Sequence, residues 1–518
     1  TGPFTSAMDL DFLEVEEAPR GTLKLAGERE ARPHIWALEE GDWGLEVRPF
    51  LPPEAAAALL RLTPGESSGA VAEALLDLAR KLEAAASEDE WEGTAWLHYQ
   101  VARGHLAARR WMAARKALDH ALESAKKAGS PRLEAKLLYE SAILLDRRLQ
   151  LPAEADRALE ACEAIYHRLG ASLHLAGVED LRGEMGRRRG DFRTARLALE
   201  RALRIKQREA PGSLSEARSL SLLGKVVASE GDLDRAEELL GQALEVRQAR
   251  EPESLNVAHS LSALATVRLQ QGDLQGGEED LRQALHRFEA DDPESDAVAV
   301  MLANLGAVAS QRGDLRTAET YGLRALEMTE RARPESLDVA TRLHNLAVLA
   351  QRRGDLPRAR DLASRSVELR RRLAPQSLDL AAGLSLQADL ATKTGEGSSA
   401  RELLEEALAL QTRLAPGSPI PLGTEELLAE LDLAEGLWQA ADETLARVEA
   451  ALRRRAPHRF DLGQVLKLRG EVAEAEARWK EAEDFYRRAT EQLGRAAPGT
   501  TLEAEAFWGL ARVYRHFG

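Results

Sequence analysis

Between Gly190 and Gly395 the pair Gly-Asp returns every 41 residues, at Gly190-Asp191, Gly231-Asp232, Gly272-Asp273, Gly313-Asp314 and Gly354-Asp355, and Gly395 keeps the beat before Glu396. A period of this length, held without slippage, belongs to a repeat array in which each unit is one supersecondary element stacked on its neighbours. The array also accounts for the size of the chain. A protein of 518 residues would otherwise divide into several compact domains, because single cores stop growing beyond roughly 250–300 residues.

One unit reads as two helices. In the segment 336–375, Ser336 is an N-cap type, and Leu343, Leu346, Ala347 and Ala350 recur at helical spacing on one side of a helix running from about Leu337 to Arg352. Gly354 breaks that helix and Asp355 caps the next, which runs from about Leu356 to Leu373 and stops at Pro375. Prolines keep the same beat at Pro211, Pro252, Pro293, Pro334, Pro375, Pro416, Pro457 and Pro498. Seven residues before each break stands Gly183, Gly224, Ala265, Gly306, Ala347, Ala388, Ala429, Gly470 or Ala511. A second small column follows each break, from Ala195 and Ala236 through Gly277 and Ala318 to Ala482, and a third runs from Ala202 to Ala489 with Ser366 and Val448 as departures. These columns mark where helices approach closely.

This pattern, bulky-x-x-Leu-small in the first helix, then Gly-Asp-Leu-x-x-Ala and a later Ala-Leu, resembles the tetratricopeptide repeat, whose usual length is about 34 residues. The longer unit, with Pro334–Ala340 before the first helix and Asn345-Leu346-Ala347 within it, looks like the variant of kinesin light chains. The resemblance spans about residues 92 to 518 and is weaker at the ends, where Arg109, Gln150 and Ala477 stand in place of the break glycine. It implies an all-α fold: a right-handed superhelical solenoid of antiparallel helix pairs.

The expected organisation is a tag remnant at 1–8, a small β-rich element at 9–52, a helical lead-in at 53–90, an array of about ten repeats at 91–498 and a terminal helix at 499–518. Alternation around Glu40-Gly41-Asp42 suggests a hairpin pairing His34–Leu38 with Trp43–Val47, a small β-containing cap on the array. Helices are expected at Glu54–Leu62 and near Ala70–Ala86. The last helix, with Phe507, Leu510, Ala511 and Tyr514 in register, is either a terminal cap or the start of a further repeat. Open array ends leave self-association available.

Composition narrows the function. The formal charge is −16, and residues 1–90 hold 19 acidic against 8 basic side chains, so the array itself is near balance. No general basic footprint for nucleic acid exists. The lone Cys162 excludes a disulfide framework and a cysteine-based zinc site. No apolar run is long enough for membrane insertion, and a cytoplasmic protein is expected. Phosphate loops and His-Glu-x-x-His are missing, and Gly183–Gly190 falls on packing and break positions. His98 with His105, and His167 with His174, lack partners at metal-ligand spacing. The expectation is a non-enzymatic chain with no catalytic residues, cofactor or metal.

The family resemblance places the first helix of each pair on the concave face. Carried over by register, the partner-binding positions are Arg218, Ser221 and Lys225; His259, Ser262 and Thr266; Asn304 and Gln311; Thr341, His344, Asn345, Gln351 and Arg352; and Ser385, Asp389 and Lys393. Asn304 and Asn345 stand one repeat apart, where an amide can donate to and accept from an extended peptide backbone. The expected function is a scaffold or adaptor binding a peptide segment or folded partner. The alternative is the sensor arm of a larger effector such as a protease, kinase or NTPase. The register itself is testable: Gly306→Leu overpacks the helix contact by about 1–3 kcal/mol and should lower the melting temperature, whereas an unchanged melting curve removes the register.

Overall fold

The computed structural model describes residues 8–21, 23–29, 32–38, 68–85, 91–415, 420–455, 460–496 and 500–517. It divides into two compact units, residues 1–287 and 288–518.

The first unit opens with α1 (Met8–Glu16) and a 3-10 turn at Ala18–Arg20. Strands β1 (Leu23–Arg29) and β2 (Arg32–Leu38) pair antiparallel, Leu23 opposite Leu38. Helix α2 (Ser68–Ala85) leads into the pairs α3 (Trp91–Ala107) with α4 (Trp111–Lys127), α5 (Pro131–Arg147) with α6 (Pro152–Leu169), α7 (Ser172–Arg189) with α8 (Phe192–Glu209), α9 (Leu214–Glu230) with α10 (Leu233–Arg250), and α11 (Leu255–Gln271) with α12 (Leu274–Asp291). The second unit holds the pairs α13 (Asp296–Gln311) with α14 (Leu315–Ala332), α15 (Leu337–Arg352) with α16 (Leu356–Leu373), α17 (Leu378–Lys393) with α18 (Gly397–Leu414), α19 (Ile420–Ala434) with α20 (Trp438–Arg455), and α21 (Phe460–Ala475) with α22 (Trp479–Ala496), followed by α23 (Thr501–Phe517).

The described residues are thus almost all helical, and the β-rich cap expected from residues 9–52 is not supported. Its first part, Met8–Glu16, is a helix. Leu38 pairs back to Leu23 rather than forward, residues 43–47 lie outside the described residues, and a lone two-stranded ribbon has no second layer with which to form a domain. The helix expected at 54–62 also lies outside them.

Each break is a left-handed residue, and at several of them the next residue caps the following helix. Gly190, Gly231, Gly272, Gly313, Gly354, Gly395 and Gly436 have φ between 77° and 94°, and the carboxylates of Asp191, Asp232, Asp314 and Asp355 accept the backbone N–H three residues on. Four connectors to the next repeat end on a serine that caps in the same way, at Ser213, Ser295, Ser336 and Ser377. The small columns are required by contact. A Cβ on Gly183 would lie 2.4 Å from Leu199 Cγ, on Gly470 2.8 Å from the Tyr486 ring, and on Gly306 3.2 Å from the Ala318 carbonyl oxygen. Ala195, Ala236, Ala202 and Ala243 are wholly buried. Ser366, a departure from that column, spends its hydroxyl on the Ala340 carbonyl at 2.6 Å, and Cys162 does the same to Ala135 at 3.3 Å, burial pushing its thiol up to about 12.

First helices also touch first helices, α5 to α7, α7 to α9 and α9 to α11 in one unit, and α15 to α17 to α19 to α21 to α23 in the other. They therefore line the shorter, inner arc of each unit.

Arg109, Gln150 and Ala477 hold the break conformation without glycine, at φ 57°, 55° and 57°. The clash of Cβ with the following carbonyl makes that conformation costly for an L-residue, by about 1–2 kcal/mol. Ala477→Gly should therefore raise stability by about 1 kcal/mol, read as a higher denaturant midpoint with the same slope; a lower midpoint would show that the turn is not strained.

Candidate partner-binding face

On the inner face of the first unit, one break shifts the register. Ala135 and Ala155 are 20 residues apart, whereas Ala176 and Ala195, or Ala217 and Ala236, are 19 apart. The extra residue sits in the turn at Gln150, where Leu151 N reaches back six residues to Leu145 O, against five for Asp191 N to Gly186 O. From Ala135 onward the inner column Ala135, Ala176, Ala217, Ala258, Ala299, Ala340 and Ala381 is buried and keeps a step of 41. This places Lys136 in the column of Arg218 and His259, and Tyr139 in that of Asp180, Ser221 and Ser262. Reading the register from Gln150 alone misses both residues. The sequence signal for them is Ala142, fully buried, which continues the small column one place before Ile143.

These residues line a groove of about 540 Å³ on α5, α7 and α9, with Arg132, Lys136, Tyr139, Asp180, Lys206 and Arg218 in its wall and Phe12 and Val15 of α1 along its edge. Arg218 bonds the Tyr139 hydroxyl, and burial pushes that phenol up to about 12. At the floor, Lys206 Nζ meets Asp180 at 2.6 Å, both side chains almost inaccessible, and Ser219 Oγ donates to the second Asp180 oxygen at 2.6 Å. A buried pair of this kind survives only when its remaining hydrogen-bonding positions are filled, and Lys206 also donates to the Ser215 carbonyl at 3.0 Å.

Helix α1 lies against α5 and α7 on this inner face. Phe12 stacks on His174 at 4.7 Å with 17° between the rings, and the Arg132 guanidinium covers it at 4.3 Å. The N-cap of α7 is Ala171, which has no side-chain acceptor to offer the first turn. Glu16 takes that role from outside the repeat, accepting from Leu173 N at 3.2 Å and His174 N at 2.7 Å while lying 2.8 Å from His174 Nδ1. A carboxylate is favoured there because a helix N-terminus leaves N–H groups unpaired and positive. Burial pushes the Glu16 carboxyl up, but the His174 and Leu173 hydrogen bonds outweigh it and hold the group below the usual carboxylate range. Arg20 closes the contact, donating to Glu16 and to Ser172 Oγ at 3.0 Å.

The expected positions are distributed unevenly. In the first unit Arg218, Lys225 and His259 are exposed on the inner face, as is Thr266, whose hydroxyl bonds the Ser262 carbonyl, while Ser262 is half-buried. Ser221 is instead buried, its hydroxyl lacking a hydrogen-bond partner among the described residues. In the second unit many of the polar groups hold one another. Gln351 donates to Asp389 at 2.5 Å, Lys393 pairs with Asp389 at 2.7 Å, Arg352 donates to Ser310 at 2.6 Å, Ser385 meets Thr424 at 3.1 Å, and Thr341 bonds its own helix. Asn345 and Gln311 are exposed and Asn304 is half-buried. Asn345 and His344 line a cavity of about 250 Å³ with Arg342 and Gly306. Burial, then the neighbouring Arg370, drives the His344 imidazole down to about 4. Among the described residues there is no cluster of three metal-ligating side chains, and no helix is long and apolar enough to cross a membrane.

Residues 175–249, 256–331 and 334–413 match the family model of the tetratricopeptide repeat. The helix pairs within residues 175–413 are therefore tetratricopeptide repeats. Solved structures with related folds include BtubC (BKLC) from P. vanneervenii, 23% identical over 48% of this chain and 94% of that one, with a TM-score of 0.36. The repeats of a putative kinesin light chain from Podosopora anserina are 21% identical over 39% of this chain and 99% of that one, TM-score 0.34. A signal transduction ATPase with numerous domains from Pyrococcus horikoshii, with a tetratricopeptide repeat sensor, is 13% identical over 76% of this chain and 59% of that one, TM-score 0.52. No curated protein matches the chain.

Because its folded value is depressed, Glu16 stabilises the α1 contact at neutral pH and loses that contribution as pH falls through and below the ordinary carboxylate range. Glu16→Gln should remove the charge at every pH and speed hydrogen exchange at the His174 amide by roughly ten- to a hundredfold, as loss of a charged hydrogen bond of about 1.5–3 kcal/mol implies. Exchange at that amide as slow as in the unsubstituted chain would mean that the carboxylate does not hold the segment.

Proposed function

We propose that this chain is a non-enzymatic interaction scaffold whose inner helix face captures a peptide segment or folded partner. The observation that carries this reading is α1. A short helix with an aromatic side chain and a carboxylate four residues later rests on the first helices of two repeats, held by stacking and by donation to its carboxylate. An inner face that accommodates a segment from elsewhere in the chain has the shape and chemistry to hold one from another protein, the helix-in-groove mode of recognition. In the second unit the exposed Asn345, half-buried Asn304 and cavity-lining His344 offer amide and imidazole groups on that unit's own inner helices.

The alternative, a sensor arm of a larger effector, uses the same face and differs in what capture triggers. Its support is the repeat fold shared with the P. horikoshii sensor protein, of which this chain spans 59%.

The test uses a synthetic peptide of residues 8–21 added to a chain beginning at Gly21. The peptide should bind, and Phe12→Ala or Glu16→Gln in it should weaken binding about tenfold each. Replacing Asn304, His344 and Asn345 together by Ala should reduce capture of protein partners without changing helical circular dichroism. A peptide that does not bind, together with unchanged capture by the triple variant, would end the inner-face reading.

A further inference from the structure

The buried pair of Lys206 with Asp180 belongs to a column that recurs with the repeat. One step of 41 residues on, Arg247 stands where Lys206 does, Ser221 where Asp180 does, and Ser260 where Ser219 does. The cation is kept and its carboxylate is gone. Arg247 donates to Ser260 Oγ, a neutral acceptor, while Ser221 Oγ is buried, the residue 5% exposed, without a hydrogen-bond partner among the described residues. A hydroxyl at this place cannot neutralise a guanidinium, so the second repeat holds the socket of a salt bridge with its anionic half missing.

The surroundings deepen the deficit. Arg218 and Lys225 flank Ser221 on α9, at three residues before and four after, and His259 follows Arg218 by one repeat. The Nε of Arg187 is buried and unpartnered. Although the Lys225 side chain reaches the surface, the groove wall strips water from its ammonium, and this, then Arg187 and Arg247, pushes it down. Burial, then Lys225 and Arg247, does the same to His259, and burial with Arg218 does so to Arg247. The opposing carboxylates are Asp180 and Glu184, which act on Arg218, Glu184 being already bonded to Arg147 at 2.6 Å, and Glu251 beside Arg247. Like charges gathered beside a shielded, unpaired donor are stabilised by an anion that accepts from all of them.

We propose that Ser221, Lys225 and Arg247, with Arg218 and His259 at the rim, form a binding site for an oxyanion, a carboxylate or phosphate group carried by the ligand of the inner face. The oxyanion takes the place that the Asp180 carboxylate holds one repeat earlier, accepting from the Arg247 guanidinium and the Ser221 hydroxyl. The site rests on the inner-face reading for its natural ligand, but its occupancy is measurable with no partner present.

The test is the thermal stability of the full chain and the NMR titration of His259, in inorganic phosphate, in glutarate, and in sodium chloride of equal ionic strength. Phosphate or glutarate should raise the melting temperature and the His259 pKa above the chloride control, and the anion effective at lower concentration identifies the group recognised. Ser221→Asp restores the missing carboxylate within the chain. It should melt higher than the parent in chloride and lose the response to both anions. Arg247→Gln should also lose the response, and Lys225→Gln, at an exposed position, provides the same readout should Arg247→Gln fail to fold. Equal melting temperatures and His259 titrations in all three salts would overturn the proposal, as would a response retained by Ser221→Asp. That failure would leave the peptide experiment on the inner face unaffected.

Discussion

Close approach between helices governs this structure. Where Gly183 faces Leu199, Gly224 faces Leu240 and Gly470 faces Tyr486, there is no space for even one added carbon. Backbones brought that near gain dispersion contacts along their whole length and interlock the larger side chains on either side. Everything else follows from keeping those contacts in phase: the left-handed break that turns the chain, the aspartate that satisfies the next helix, and the serine that begins the repeat after it. Stability in such an array is a sum of neighbour terms, so each small residue serves two helices at once.

The same phase carries polar groups as well as packing. The column that begins with Tyr139 and Asp180 continues through Ser221 to His344, Ser385 and Glu426, and its partner column on the second helices includes Lys206, Arg247, Arg370 and Gln411. Only the combination of Asp180 with Lys206 is a complete ion pair among those described. His344 stands beside Arg370 and is driven to its neutral form, and Glu426, buried beside Glu430 and Asp461, has its carboxyl pushed up to about 8. A regular scaffold thus presents a series of chemically different sockets at equal spacing, which is how a repeat protein acquires specificity without changing its fold.

The array was legible from sequence because glycine, proline and small residues state backbone requirements directly. Gly354 at φ 80° and Asp355 capping Arg358 N could be read from two letters. What sequence could not give was whatever depends on a segment arriving from outside the repeat. Met8–Glu16 carries no internal signal that it docks, because its partners Arg132, His174 and Leu173 are remote in the chain and its acidic residues read equally well as a solvated stretch. Local alternation did indicate strand at His34–Leu38, but the choice of partner is a pairing question that local pattern leaves open. Among the site residues, Tyr139 and Lys136 were hidden by a single added residue at Gln150, and Ser221, expected on an open face, is buried.

That added residue at Gln150 has a wider consequence. The turn absorbs it by a longer backward hydrogen bond, from Leu151 to Leu145, and the helices on either side remain in register with the rest. Breaks between helices therefore act as slack in an otherwise rigid count. Chain length can drift there by one residue without penalty to the packed columns, while the same insertion inside α7 or α9 would rotate every inner side chain beyond it by about 100°. Divergence in repeat length and conservation of inner-face chemistry are thus compatible within one chain.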